Sequence, residues 1–430
     1  MNFRKTFITV SGLFLLLFFF MGLTHYQVSN VTKGDEKTKL GNLGDYIFQF
    51  SELLMLTVQK FNEDDSKFIT NDSIPNGVYH YNKTPLEFKD YYLLTSSESP
   101  NKYVIDLIDL ENGESIKKWF PDLGEITTLT LKGENRLKKK NSINVINHPV
   151  MLKDSSIIGC TGHSLVKINR DSQIEWIKSN YEGHHSVEID HDDKIWICGR
   201  RLKSKLPELV DKKNEELLDD LIMKIDHNTG DVLFEKSVIQ ILKDNNLYDL
   251  VFKNGNYEMD PIHLNDVQPA LSDGDYWKKG DLLISPRHLS AIFLYRPSTN
   301  KILWYKQGPW LNQHDPDFLD QNKIVVFGNQ IYRGEMEKEL NHPDQYNSVF
   351  VYDFSKDSLF EPYKGFIKAE KIKTITEGRS EVLPNGDLFI EDSNNGRVFI
   401  GDTIRKKLSF SKRVNEEKIM YLHWSRIILN

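Results

Sequence analysis

Histidine and arginine are the residue types whose placement in this chain could do chemistry. His148, His185, His263 and His314 each open a phrase built from a polar residue, an apolar stretch, a turn and a strand, and Arg379 opens a fifth. The first runs His148-Pro149-Val150-Met151-Leu152 into Ser156-Ile157-Ile158-Gly159, and the second runs His185-Ser186-Val187-Glu188-Ile189 into Lys194-Ile195-Trp196-Ile197. Arg287 ends the strand Leu282-Leu283-Ile284-Ser285-Pro286-Arg287-His288, inside the phrase that His263 begins. Imidazole can donate a hydrogen bond or attack as a nucleophile, and guanidinium presents fixed planar donors. Together, and with no Gly-rich loop, they suit an anion with several oxygens. Three histidines would also make a zinc shell. A fixed guanidinium beside a dication costs Coulomb energy, so no metal is expected. Asp266, Asp315 and Asp317 are candidates to orient the imidazoles, although aspartates near turns also serve only to shape the turn.

These residues need a scaffold that gathers distant stretches, and the repeat supplies one. Each phrase is followed by a strand, a turn and a strand ending near an aromatic, as in Leu165-Val166-Lys167-Ile168-Asn169 with Ile174-Glu175-Trp176, and in Ala291-Ile292-Phe293-Leu294-Tyr295 with Lys301-Ile302-Leu303-Trp304. A full phrase therefore yields four short antiparallel strands, one blade of a β-propeller. About six blades are expected, beginning near Thr84, Asn147, His185, His263, His314 and Arg379, with insertions at Leu202 to Leu221 and Lys236 to Met259. The segment Met420 to Ile428 would complete or lock the ring, and closure leaves no exposed sheet edge. Equivalent positions of successive blades surround one axis, so the residues opening the phrases should share the mouth of the central channel.

The fold class expected is all-β, a six-bladed propeller over 84–430. A cytoplasmic tip and membrane signal-anchor (1–28) and a linker with a short amphipathic helix (29–83) precede it. Arg4 and Lys5 precede the uncharged run from Phe7 to Leu23. That run is close to the ~20 residues that span a bilayer, and its positive flank would stay cytoplasmic, sending the propeller to the periplasmic or extracytoplasmic side. Thr24-His25-Tyr26-Gln27 is a poor match to a small-residue cleavage site, which favours an uncleaved anchor. Between Asp45 and Asn62, Ile47, Phe50, Leu54, Val58 and Phe61 fall at helical spacing, a face for packing on the domain or on a second copy in a homodimer. With 55 basic and 62 acidic residues the net charge is −7 and no basic stripe forms, so nucleic acid is excluded as a partner. Cys160 and Cys198 give no disulfide framework and no zinc spacing, and read as small buried residues that an oxidising compartment could pair.

At this point the chain resembles the aryl-sulfate-dependent sulfotransferases, periplasmic six-bladed propellers that do not use the nucleotide sulfate donor. The resemblance rests on Gly183-His184-His185, His263-Leu264-Asn265-Asp266-Val267, Ile284-Ser285-Pro286-Arg287-His288, Lys301-Ile302-Leu303-Trp304 and Gln313-His314-Asp315. It is strong from about Tyr181 to Asn329. It implies a transferase without cofactor that moves a sulfuryl group from an aryl sulfate to a phenolic acceptor through a sulfated histidine. On matching positions His314 is the nucleophile, His263 and Arg287 bind sulfate and stabilise the transition state, and His185 is the third histidine. The doublet leaves His184 open as its substitute. His185 is favoured because it precedes Lys194 by the distance at which His314 precedes Lys323. His184, Asn265, His148 and Arg379 complete the expected substrate-binding set. Asp266 stands where the family has a small hydroxyl residue, Pro286 interrupts the run before the arginine, and the interval from Arg287 to His314 is short, all of which bear on substrate choice. The alternatives are a non-catalytic anchored propeller that binds an anionic ligand or a partner protein, and a metal-dependent hydrolase using the same histidines.

Overall fold

Runs rich in Ile, Val, Tyr and Phe, cut by Gly, Asp and Asn turns, dictate short antiparallel strands. The structure, a computed structural model, describes residues 69–70, 75–81, 85–99, 102–132, 145–203, 205–209, 216–332, 345–413 and 418–429. Their strands form six sheets of four or five strands, with a further two-stranded ladder between Ile69–Thr70 and Lys418–Ile419. Blade 2 runs from Asn147–Met151 to Ile174–Lys178, blade 3 from Glu182–Ile189 to Val232–Ser237, blade 4 from Leu264–Pro269 to Lys301–Gln307, and blade 5 from Gln313–Phe318 to Ser358–Phe360. Each of these four is a run of consecutive strands, and the first strands of neighbouring blades touch, which makes them the inner ones.

The remaining two blades are composite. Blade 1 takes Tyr91–Ser99, Lys102–Asp109 and Ser115–Trp119 from the N-terminal side, and its innermost strand is Arg426–Leu429, with Arg426 opposite Leu94. Blade 6 runs from Arg379–Val382 to Lys406–Ser411 and gains an outer strand, Gly77–His80, with Val78 opposite Phe410. The closing strand falls in the segment from which a lock was expected. Gly77–His80 lies in the stretch read as linker.

Middle strands are covered on both faces by neighbouring blades, and Ile157–Cys160 is buried throughout, whereas the outer strand Lys301–Gln307 alternates. Apolar residues of adjacent blades meet in six clusters, one at each interface. The cluster that joins Leu93 and Ile427 of blade 1 to Phe389 and Phe410 of blade 6 closes the ring. Cys160 and Cys198 are buried free cysteines on blades 2 and 3. Among the described residues no helix is long and apolar enough to cross a membrane. The apolar run 7–23 and the amphipathic segment 45–62 lie outside the described residues.

Candidate active site

The inner strands enter the channel through bulges. In blade 3 His184 is opposite Cys198 and Val187 opposite Ile197, so His185 and Ser186 leave the ladder. In blade 5 His314 is opposite Phe327 and Pro316 opposite Val326, so Asp315 alone leaves it. His148 escapes the same way in blade 2, between Asn147 and Val150. The first displaced residue has left-handed backbone, with φ of 51° at His148, 53° at His185 and 47° at Asp315. A non-glycine residue held there costs of order 1–3 kcal/mol, and such bulges redirect a side chain. Counting residues from Lys194 and Lys323 equates His185 with His314. The ladder equates His184 with His314, because the blade 3 bulge is one residue longer.

The imidazoles gather at the axis. The His185 ring lies 5.3 Å from that of His263 and 5.9 Å from that of His314, centroid to centroid, and 5.9 Å from Trp424. His148 packs on Trp424 at 3.8 Å. His184 turns to the wall, its Nε2 3.2 Å from Asp220 Oδ1, which also accepts from Arg200 Nε at 2.8 Å. Arg287 joins through His288, whose Nε2 is 3.4 Å from the guanidinium.

Hydrogen bonds fix which nitrogen His314, His263 and His288 present. Asn329 Nδ2 donates to the carbonyls of Thr374 (3.1 Å) and Glu377 (2.9 Å), so the atom facing His314 is its oxygen. His314 Nδ1 therefore donates to Asn329 Oδ1 at 2.7 Å, with the Asn312 carbonyl 3.1 Å away, and Nε2 keeps its lone pair. His263 Nδ1 donates to the Asp260 carboxylate at 2.6 Å, and His288 Nδ1 donates to the Asp260 carbonyl at 2.7 Å.

Burial keeps most of these rings neutral. It pushes His314 down to about 3, with the Arg287 charge adding to the effect. Burial and neighbouring imidazoles hold His185 well below the ordinary value, burial and Arg426 do so at His148, and burial lowers His288 to about 4. Burial alone would raise Asp220, but Arg200 and His184 hold it well below the usual carboxylate range. The result is a set of neutral nitrogen donors and acceptors beside fixed guanidinium charge. Such a pocket can bind a tetrahedral oxyanion and offer a lone pair to its central atom.

Asp260, His263 and His288 each offer a ligand atom within 4.8 Å of the others, a metal-like grouping. Both Nδ1 atoms are already engaged by Asp260, and Arg287 stands against His288.

His185, His263, His314 and Arg287 are thus brought into one locality, with His148 and His184 bordering it. Asn265 Nδ2 donates to the carbonyl of Gln313 at 2.8 Å, tying blade 4 to the residue before His314. Arg379 makes no ring contact with the imidazoles, and its charge acts on His148. It is buried 3.3 Å from Asp315 and lines a cavity of about 290 Å³ with Glu188, Asp317, Glu381 and Arg426, further along the inner strands. The aspartates expected to orient imidazoles do other work: Asp266 accepts from the Val267 N–H, Asp315 from the Ser380 N–H, and Asp317 lines the same cavity. The orienting groups are Asn329, Asp260 and Asp220. Sequence reasoning passed over all three, as it did Trp424.

Fold and site define a six-bladed propeller with an axial imidazole and guanidinium pocket. The sequence model of the arylsulfotransferase (ASST) family matches residues 148–412, from blade 2 to blade 6, and the chain belongs to that family. No curated protein matches it. Among solved structures it is similar to a protein of unknown function from Bacteroides caccae, at 12% identity and TM-score 0.44, over 79% of this chain and 99% of that one. It is also similar to the Pan2 WD40 domain of Neurospora crassa, at 9% identity and TM-score 0.40 over 81% and 95%. A third is virginiamycin B lyase from Staphylococcus aureus, at 11% identity and TM-score 0.33 over 65% and 94%.

Proposed function

We propose that the chain transfers a sulfuryl group from an aryl sulfate ester to a phenolic acceptor, with His314 sulfated in between. The observation that carries this reading is the Nε2 lone pair of His314, kept available because Asn329 holds the proton on Nδ1. Nε2 attacks sulfur in line, the sulfur to aryl-oxygen bond breaks, and its electron pair leaves on the phenolate. Charge spread over the sulfuryl oxygens is met by Arg287 and by His263, whose ring Asp260 orients. A second phenol then takes the group in the reverse sense, giving ping-pong kinetics. The stacked His148 and Trp424 pair, with His185 beside it, offers an aromatic surface suited to the aryl groups.

The uncharged run from Phe7 to Leu23 behind Arg4 and Lys5 is an uncleaved anchor in this reading, with the propeller outside the cytoplasm. Deleting residues 1–28 is expected to release the protein from the membrane fraction. The amphipathic segment 45–62 would carry a homodimer, which sedimentation of the full chain checks. The test of the activity is incubation with an aryl sulfate followed by intact-protein mass measurement. Wild type gains one sulfuryl group, and His314→Ala gains none and sulfates no phenol. A wild type that never acquires the group, never transfers it and captures anionic ligands equally well as His314→Ala would be a binding module.

A further inference from the structure

The blade geometry that presents His314 is repeated in blade 1 by a residue beyond the family match, His423. Just ahead of the ladder that Arg426 begins, His423 donates its backbone N–H to the Ser96 carbonyl at 3.1 Å and its own carbonyl accepts from Ser96 Oγ at 3.0 Å, and Ser425 Oγ donates to Thr95 Oγ1 at 2.8 Å. Between them Trp424 is displaced with φ 52°, as Asp315 with φ 47° is displaced after His314 and His185 with φ 53° after His184. Blades 1, 3 and 5 therefore each carry a histidine immediately before the residue with left-handed backbone. Each has its own oxygen partner: Glu377 at 3.4 Å from His423 Nδ1, Asp220 at 3.2 Å from His184 and Asn329 at 2.7 Å from His314. Two links tie the blade 1 pair to the site. Trp424, next in chain to His423, packs against His148 and His185, and the carbonyl of Glu377 accepts from the Asn329 that orients His314.

We propose that His423, with Glu377 3.4 Å from its Nδ1, is the acid and base for the phenolic oxygen in the sulfuryl transfer assigned above to His314. The inference rests on that reading. In the first half-reaction the His314 Nε2 pair forms the nitrogen–sulfur bond, the sulfur to aryl-oxygen bond breaks, and the departing oxygen takes the proton from His423 Nε2. In the second, His423 Nε2 takes the proton of the incoming phenol as its oxygen bonds to sulfur, and the nitrogen–sulfur pair returns to His314. Proton and sulfuryl group are both restored after one cycle. His314, His185, His148 and His288 are suited to staying neutral, so none of them supplies this proton at neutral pH. His423 differs: burial opposes its charge, but Glu377, with Glu98 and Glu391 beyond it, raises it above the ordinary imidazole value.

The test compares His423→Gln and Glu377→Gln with wild type, using a series of aryl sulfates whose phenols span a wide acidity range. General acid catalysis is worth about 10²- to 10⁴-fold where the leaving group needs it. His423→Gln should therefore form the histidine adduct at near wild-type rate from a donor with a very acidic phenol, and about a hundredfold more slowly from one with a weakly acidic phenol. Glu377→Gln should show the same steepening to a smaller degree. Equal loss across the whole series, or no loss anywhere, overturns the role. If wild type itself forms no adduct with any donor, the parent reading fails rather than this one.

Discussion

Removing the side chain of Asn329 is the sharpest perturbation of the nucleophile that leaves the nucleophile in place. In Asn329→Ala the His314 Nδ1–H loses its acceptor at 2.7 Å, and the Asn312 carbonyl at 3.1 Å is what remains to hold the ring. The Glu377 carbonyl, part-buried, loses a donor, whereas the Thr374 carbonyl still accepts from Asn347 Nδ2 at 2.9 Å. Losing a partner in a buried hydrogen bond costs about 1–3 kcal/mol. For the ring, this appears as population of the wrong tautomer and orientation, and about 1.4 kcal/mol is tenfold in rate. Adduct formation should therefore fall about ten- to a hundredfold, with a stability loss of similar size. The assay is single-turnover sulfation followed by rapid-quench mass measurement, with folding checked by denaturant titration. Asn329→Asp keeps an acceptor for Nδ1 and should recover much of the rate. A folded Asn329→Ala that sulfates as fast as wild type would refute the claim that Asn329 sets the reactive nitrogen.

Other outcomes follow from the same geometry. His314 has a folded value near 3 against an ordinary 6.5, pushed down by burial and then by Arg287, so it stays neutral in acid. Sulfation by a donor with a very acidic phenol should then hold level from about pH 8 to about pH 5, and a fall centred near the ordinary histidine value would contradict the assignment. The same shift has a cost in stability. As pH falls below about 6.5, the unfolded chain binds a proton there that the folded chain refuses, so replacing His314 with Gln should cost progressively less stability down to about pH 3, as denaturant midpoints will report. Asp220→Ala takes the carboxylate 2.8 Å from Arg200 Nε, leaving Asp260 at 3.8 Å, removes the one 3.2 Å from His184, and strands the Leu264 N–H it accepts at 2.8 Å, and should lower stability by about 3 kcal/mol by urea unfolding. Chelation should leave phenol sulfation unchanged, since Asp260 already engages both Nδ1 atoms of the His263 and His288 pair. Deleting the residues from Arg426 onward exposes the Tyr91–Ser99 edge and should convert a monodisperse propeller into aggregate on size exclusion.

Much of this was legible in the chain because a propeller writes its symmetry as repetition. The His148, His185, His263 and His314 phrases sit where blades 2 to 5 begin, and the apolar middle strands announce themselves as runs such as Ile157-Ile158-Gly159-Cys160. Bulge length is what residue counting misses. Two displaced residues in blade 3 against one in blade 5 shift the equivalence from His185 to His184, while the ring that meets His263 and His314 is still that of His185. Gly77–His80 is too short and too polar to show as a strand, and its pairing with Lys406–Ser411 spans most of the chain. Asp260 could have been found, since it lies in the same turn as His263, three residues before it. Asn329 could have been found as well, by running the hairpin register from Gln313 opposite Gly328 one step on. The Arg379 placement had no such signal, because its attraction to Asp315 across blades 5 and 6 is a matter of packing.

The most direct test is where on the protein the sulfuryl group resides. Peptide mapping of wild type trapped with an aryl sulfate and no acceptor should find it on His314, bonded to Nε2. Modification at another residue, or at Nδ1 of His314, would contradict the account.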